Sequence, residues 1–298
     1  MFTFAGKLHI NNFSCIMANV IKIKKGLDIN LKGKASDVLL NGGKSESYAI
    51  VPDYYNGILP KVVAKVGEKV KAGSVLMIDK NRPEIKFVSP VSGEVTAVNR
   101  GEKRKVLSIV VKPDAQIEYE EFGKKNVASL QGAEVKEVLL NAGMWPFIKQ
   151  RPYDIVAAPL DTPRDIFVSA FYSAPLAPNF DFIVKGQEAD FQTGLNALAK
   201  LTNGKVYVGV RSGSVVSGMK GVEIVEVEGP HPAANVGVQI NHIKPVNKGE
   251  VVWTVNPADV IVIGRLFNKG VADFSRMVAI TGSETTERGY VKTIRSEE

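Results

Sequence analysis

Few side chains in this sequence could carry metal or nucleophilic chemistry. One cysteine, Cys15, and three scattered histidines, His9, His231 and His242, offer no zinc or iron-sulfur ligand set. Acyl transfer needs a serine or cysteine activated by a base, and no GxSxG turn occurs, so a hydrolase is not expected. Phosphate chemistry would show as a glycine-rich turn leading into a helix, and there is no GxGxxG. The serine- and glycine-rich run from Ser212 to Gly221 follows an apparent strand, but no helical pattern follows it; it reads as a loop between strands. Gly43-Lys44-Ser45 lacks the upstream glycine of a phosphate loop, because Val38 holds that position. What remains is Gly229-Pro230-His231-Pro232, where two prolines frame one histidine in a stiff loop after a strand. Binding residues often sit at such a place, yet the same residues also make a rigid corner whose histidine caps backbone groups, and residue physics favours the corner.

The elements that would position these residues fall into two textures. From Tyr48 to Asp114 short alternating segments are broken by Gly and Pro, which predicts strands near 49–51, 61–66, 74–79, 85–89, 94–98 and 105–112. After Asp114 the spacing of Val135, Val138, Leu139 and Ala142 predicts an amphipathic helix stopped by Gly143. Strands over 166–172, 205–210, 222–227 and 277–281 then alternate with helices over 188–201 and 258–268. Asn256-Pro257 supplies an N-cap and a first-turn proline for the last of these helices. That alternation predicts an α/β domain. The segment from Gly229 to His242 holds no sustained pattern.

Hydrophobic types make up 45% and charged types 23% of 298 residues, enough for two cores. No run reaches the roughly 18 apolar residues of a membrane helix. The net charge of +7 is uneven: residues 17–120 hold 18 Lys and Arg against 12 Asp and Glu, whereas residues 121–298 hold 19 against 19. The lysines alternate with valines rather than clustering with stacking aromatics, which predicts solvated strand faces and no nucleic-acid partner. The opening sixteen residues lack the apolar core of a secretory signal, so Met17 reads as the natural start and residues 1–16 as an extension. A reducing, cytoplasmic setting follows from the cysteine usage. The expected division is an extension over 1–16, a barrel domain over 17–120 and an α/β domain over 121–298.

The run Pro60 to Leu76, followed by Ser89-Pro90-Val91-Ser92-Gly93-Glu94-Val95, resembles the biotinyl/lipoyl hairpin barrel. That fold implies a lysine at an exposed tip, carrying biotin or lipoate. Here the tip is Asp79-Lys80-Asn81-Arg82-Pro83-Glu84, with Arg82 near the modified position and Lys80 displaced from it. A guanidinium stays protonated and cannot form the amide, so the expectation is an unmodified barrel.

A wider resemblance rests on several motifs in one order: Ile23-Lys24-Lys25-Gly26-Leu27-Asp28, Phe87 to Gly93, Asn99-Arg100-Gly101-Glu102, Arg151-Pro152, Thr162-Pro163, Gly229-Pro230-His231-Pro232-Ala233, Trp253 to Asn256 and Ile263 to Phe267. Together they resemble the A-subunit family of sodium-translocating NADH:quinone reductases, over nearly all of residues 17–298. The resemblance implies a biotinyl/lipoyl-like barrel ahead of a Rossmann-like α/β domain. It also implies a peripheral subunit on the cytoplasmic face of the bacterial inner membrane, partnered by the other subunits of the reductase, including its membrane subunits. Flavins and iron-sulfur clusters are then held by the partner subunits. The resemblance also implies a fold related to the flavin-binding subunit of complex I and to a subunit of the Rnf complex, but their glycine-rich flavin loop is missing, since Ala142-Gly143-Met144-Trp145-Pro146-Phe147 stands in that region, and there is no cysteine cluster. No cofactor bound to this chain is expected, with quinone as a possible ligand. Gly229, Pro230, His231 and Pro232, with Trp145 and Phe147 beside them, are the expected quinone or partner surface. Family members are longer, so residues 289–293 are expected to lead toward a further C-terminal region. The competing readings are a biotin or lipoyl carrier and a stand-alone nucleotide-binding oxidoreductase.

Overall fold

The computed structural model describes residues 19–43 and 45–296. The extension over 1–16, with His9 and Cys15, lies outside the described residues, as do Met17 and Lys44.

The chain begins with a short strand, β1 (Asn19–Lys22), and then builds the all-β unit. This consists of β2 (Tyr48–Ile50), β3 (Pro60–Val62), β4 (Lys69–Val70), β5 (Val75–Asp79), β6 (Lys86–Val88), β7 (Gly93–Arg100) and β8 (Val106–Pro113). Two antiparallel sheets, in the orders β2-β8-β7-β4 and β3-β5-β6, face one another. Inward residues such as Val95, Ile109 and Val111 are fully buried between them, which is what period-two alternation produces when one face of each sheet is covered, and a register shift between Val75 and Met77 accompanies the burial of adjacent Leu76 and Met77 in β5. The strand expected over 61–66 is shorter than the alternation suggested. It ends at Val62, and the chain turns through Lys65 to Glu68, where the Lys65 amide donates to Glu68 Oε2 at 2.8 Å, before re-entering the other sheet as β4.

The second unit runs through α1 (Gly132–Asn141), β9 (Ile148–Arg151), β10 (Ile155–Val156), β11 (Ile166–Ser169), α2 (Phe180–Val184), α3 (Glu188–Ala199), β12 (Val206–Val210), β13 (Glu223–Glu228), α4 (Val236–Ile243), β14 (Val252–Val255) and α5 (Pro257–Lys269). A capping box starts α1, with the Gln131 amide donating to Glu134 Oε2 at 2.7 Å. The Asn256 side chain caps α5 by accepting from the Ala258 amide at 3.0 Å, and Gly270 in the left-handed region ends it. The seven strands lie in the order β1-β13-β12-β11-β14-β9-β10; the first five are parallel, and β9 and β10 finish the sheet antiparallel. One face carries α3 and α5, whose backbones touch because a Cβ at Gly194 or Gly264 would strike the carbonyl of Val260 or Asp190. Phe167 points to the opposite face, where it packs with Ile240 of α4 and Val252.

A hairpin, β15 (Ser275–Ile280) and β16 (Gly289–Ile294), closes the described chain. Arg265, 4% exposed, fastens it by donating to the Asp273 and Ser275 carbonyls, each at 3.0 Å, and to Gln187 Oε1 at 2.8 Å.

Two features depart from the sequence reading. β1 pairs in parallel with β13, so a segment assigned to the barrel over 17–120 is an edge strand of the α/β sheet. Its alternation announces a strand, but nothing local names a partner two hundred residues away. The patternless stretch after Gly229 contains the helix α4. Val236, Ile240 and Ile243 do recur at helical spacing there, yet Gly237 and the β-branched Val238 dilute the signal.

Candidate functional site

In the α/β sheet the chain moves outward from β11 to β12 and β13, then crosses back through α4 to β14 on the other side of β11. The strand order therefore reverses between β11 and β14. A crevice opens at such a point. Here it is a cleft of about 650 Å³. Ser169 and Thr254 form its floor from the ends of the two strands, and Asn235 to Val238 at the start of α4 form one wall. Phe147, Lys149 and Arg151 come from the β9 side, Tyr54 from the barrel and Arg295 from the closing hairpin.

The charges around this cleft do not balance locally. Asp259 Oδ1 is shared by Arg276 at 2.7 Å and Arg295 at 3.4 Å. Arg151 Nε lies 3.4 Å from Asp154 Oδ1 yet is buried with no hydrogen bond. Lys149 makes no ion pair among the described residues; its ammonium stands 5.5 Å from the centre of the Tyr55 ring. Burial pushes the Lys149 ammonium below the ordinary lysine value, although Asp154 and Asp259 partly oppose this. Burial and the neighbouring Asp259 push the Tyr172 phenol up to about 12, so it remains a protonated donor in the wall.

The proline-framed loop lies outside that cleft. The His231 amide donates to Asp28 Oδ1 at 2.8 Å, and the His231 carbonyl accepts from the Leu27 amide at 2.9 Å. Its Nδ1 lies 3.0 Å from Ser173 Oγ, which also accepts from the Ala234 amide at 3.0 Å. Gly229 and Gly26 allow this splice: a Cβ on the first would strike the Ile23 carbonyl, and one on the second the His231 carbonyl. His231 thus ties three chain segments together, and it borders a second hollow of about 400 Å³ in which Asp28, Ser173 and Arg211 take part. Arg211 lies 4.6 Å from the centre of the Phe171 ring and donates to the Val227 and Gly229 carbonyls. Phe171 and Tyr172 line both hollows. Beside them Leu27, Ile29 and Leu31 are exposed, at every second residue.

The residues expected to act with His231 are not brought to it. Trp145 is a correction: it is fully buried, its indole N–H donates to the Ala157 carbonyl at 2.8 Å, and its ring meets Trp253 edge-on. A large aromatic with its polar atom satisfied inside is core, and it offers no surface to a partner. Phe147 is 5% exposed and lines the switch-point cleft, with Arg295 over its ring at 4.8 Å. Sequence reasoning missed Lys149, Arg151 and Tyr172. Alternation along Ile148-Lys149-Gln150-Arg151 was the available signal, since it puts both cations on one face of a strand.

The hairpin tip, where a carrier would bear its modified lysine, is not a free arm. Arg82 donates from Nε to Asp79 Oδ2 at 2.7 Å, from Nη1 to the Val156 carbonyl at 3.2 Å and from Nη2 to the Gly57 carbonyl at 2.8 Å. This fastens the turn onto the α/β unit.

The fold thus defines a two-domain protein, a barrel-sandwich hybrid docked by its hairpin tip against an α/β domain. Residues 21–114 match the family described as the NqrA N-terminal barrel-sandwich hybrid domain, and residues 130–272 match the NqrA second alpha/beta domain. The A subunit of the Na(+)-translocating NADH-quinone reductase of Hahella chejuensis is 38% identical over 279 residues, covering 92% of this chain and 62% of that protein. Proteins of the same name from Neisseria meningitidis serogroup A and Photorhabdus laumondii are each 36% identical, with the same shares covered. The chain belongs to this NqrA family. It spans 62% of the length of these relatives.

Proposed function

We propose that this chain is a peripheral subunit of a sodium-pumping NADH:quinone oxidoreductase on the cytoplasmic face of the bacterial inner membrane. It helps to form or support the quinone-reduction side without a redox centre of its own. The observation that carries this reading is the pair of family matches, in order, over residues 21–114 and 130–272. Flavins and iron-sulfur clusters then belong to the partner subunits, and the α/β domain is a Rossmann-like unit turned to assembly. Among the described residues no helix is long and apolar enough to cross a membrane; attachment through partner subunits is part of this reading.

Gly229, Pro230, His231 and Pro232 are the partner or quinone-headgroup surface in this reading. The support is the stiffness of the corner, with its backbone bonds to Leu27 and Asp28, and the exposed Leu27, Ile29 and Leu31 beside it. A histidine there can donate to a carbonyl oxygen, while Phe147 belongs to the separate cleft. The carrier reading is disfavoured because Arg82 clamps the tip that would have to swing.

Co-purification of the tagged chain from membranes tests the role: membrane subunits of the reductase should accompany it, and recovery of the chain alone would refute it. In the assembled complex His231→Ala should weaken assembly or quinone reduction. Normal assembly with normal quinone kinetics would leave His231 a structural corner.

A further inference from the structure

We propose that the cleft between β11 and β14 binds an organic anion, a phosphate or carboxylate head on an apolar body, with Lys149 as the counter-charge for the head. This goes beyond the proposed role in the reductase and does not depend on it. Three cations, Lys149, Arg151 and Arg295, line the cleft against two carboxylates, Asp154 and Asp259. Asp259 is further shared with Arg276 at 2.7 Å, which leaves less negative charge for the cleft itself. Lys149 sits half-buried beside Thr254 in the strand register with no ion pair among the described residues. A half-buried cation with the Tyr55 ring but no carboxylate paired to it is only partly compensated, and an anion in the cleft supplies the missing counter-charge.

The remaining geometry suits the same class of ligand. The buried Arg151 Nε has no hydrogen bond, and the protonated Tyr172 phenol is a further donor in the wall. Phe147, Phe171 and Val238 give the apolar surface that a bare inorganic ion would leave unused. A cleft of about 650 Å³ matches a small organic molecule rather than a simple ion.

The test titrates the 298-residue chain with adenosine monophosphate, benzoate and inorganic phosphate at low salt, read by calorimetry and thermal shift. Both organic anions should bind more tightly than inorganic phosphate, and the tighter of the two identifies the head as phosphate ester or carboxylate. Lys149→Gln should weaken binding by about tenfold, the loss of one charge-assisted hydrogen bond. Lys149→Arg should retain it, and Lys65→Gln on the barrel surface should change nothing. Without ligand, Lys149→Gln should melt no lower than the parent chain, because it removes a desolvated charge; this separates lost binding from lost folding. No binding of any probe at about 10 mM would overturn the proposal, as would equal binding by the parent and Lys149→Gln.

Discussion

Replacing Arg82 with alanine removes three hydrogen bonds: those to Asp79 and the Gly57 carbonyl hold the barrel tip together, and the one to the Val156 carbonyl grips the α/β domain. The bond to Asp79 is charge-assisted and worth about 2 kcal/mol, and the two to backbone carbonyls about 1 kcal/mol each. Arg82 keeps 21% of its side-chain surface in water, and Asp79 Oδ1 still accepts from the Leu59 and Asn81 amides, so the net loss should be nearer ~3 kcal/mol. Two domains can unfold in separate steps, so hydrogen exchange resolved by peptide is the suitable assay. Protection should fall in Leu59 to Ile85 and around Val156, while the interior strand β8 stays protected. The same change with Asp79→Asn should cost less than the sum of the single changes, because the carboxylate stranded by the loss of Arg82 is then gone. A loss below about 1 kcal/mol, or strict additivity, would refute the idea that this residue holds the tip in place. The intact mass of the unaltered chain should equal that of its sequence, and an adduct on Lys80 would contradict the clamp directly.

Gly143→Ala should cost about 2 to 4 kcal/mol, since φ is +66° and the new Cβ would lie 2.5 Å from Val88 Cγ1; chemical denaturation checks this, and Val88→Ala should recover part of the loss. Burial alone would raise the Asp273 carboxyl, but Arg265, Ser275 and Lys269 hold it at about 2, below its ordinary 3.8. A depressed carboxylate stabilises the fold above its unfolded value, so that contribution should be present above about pH 4 and lost as the pH falls through about 2. Asp273→Asn should accordingly narrow the stability difference between neutral and acid pH in thermal melts. The purified chain should be colourless and inactive with NADH and a dye acceptor; stoichiometric flavin in its absorbance spectrum, or turnover, would contradict the proposed role.

The helices α1, α3 and α5 were legible because each carries its own periodicity and stop, and α5 its asparagine cap and proline as well. Most barrel strands were legible for the matching reason that glycines mark their turns. The site was less so. His231 stands in the stiff loop that its prolines announce, yet its partners Asp28 and Ser173 are distant in sequence. Trp145 and Phe147 are separated by one residue and have different fates, one sealed against Trp253 and the other lining the cleft, because a turn through Pro146 directs them differently. Lys149 and Arg151 look like ordinary solvated strand residues until the strand order is known. The reversal between β11 and β14 that turns them into the wall of a cleft is a property of topology, which periodicity does not encode.

The parallel pairing of β1 with β13 makes the barrel an insertion into the α/β domain rather than a bead strung before it. β1, the first of the described strands, must wait for β13 while the whole barrel and most of the sheet emerge from the ribosome. A cut at residue 120 would therefore yield no faithful half. The α/β piece would lose its edge, exposing β13 as a template for pairing with another copy and opening the apolar nest of Val225, Val227 and Ala233 that Ile23 closes. The barrel piece would keep an orphan tail whose strand partner had been removed. The two domains are thus separable in the description of their folds but interlaced in the order of their sequence.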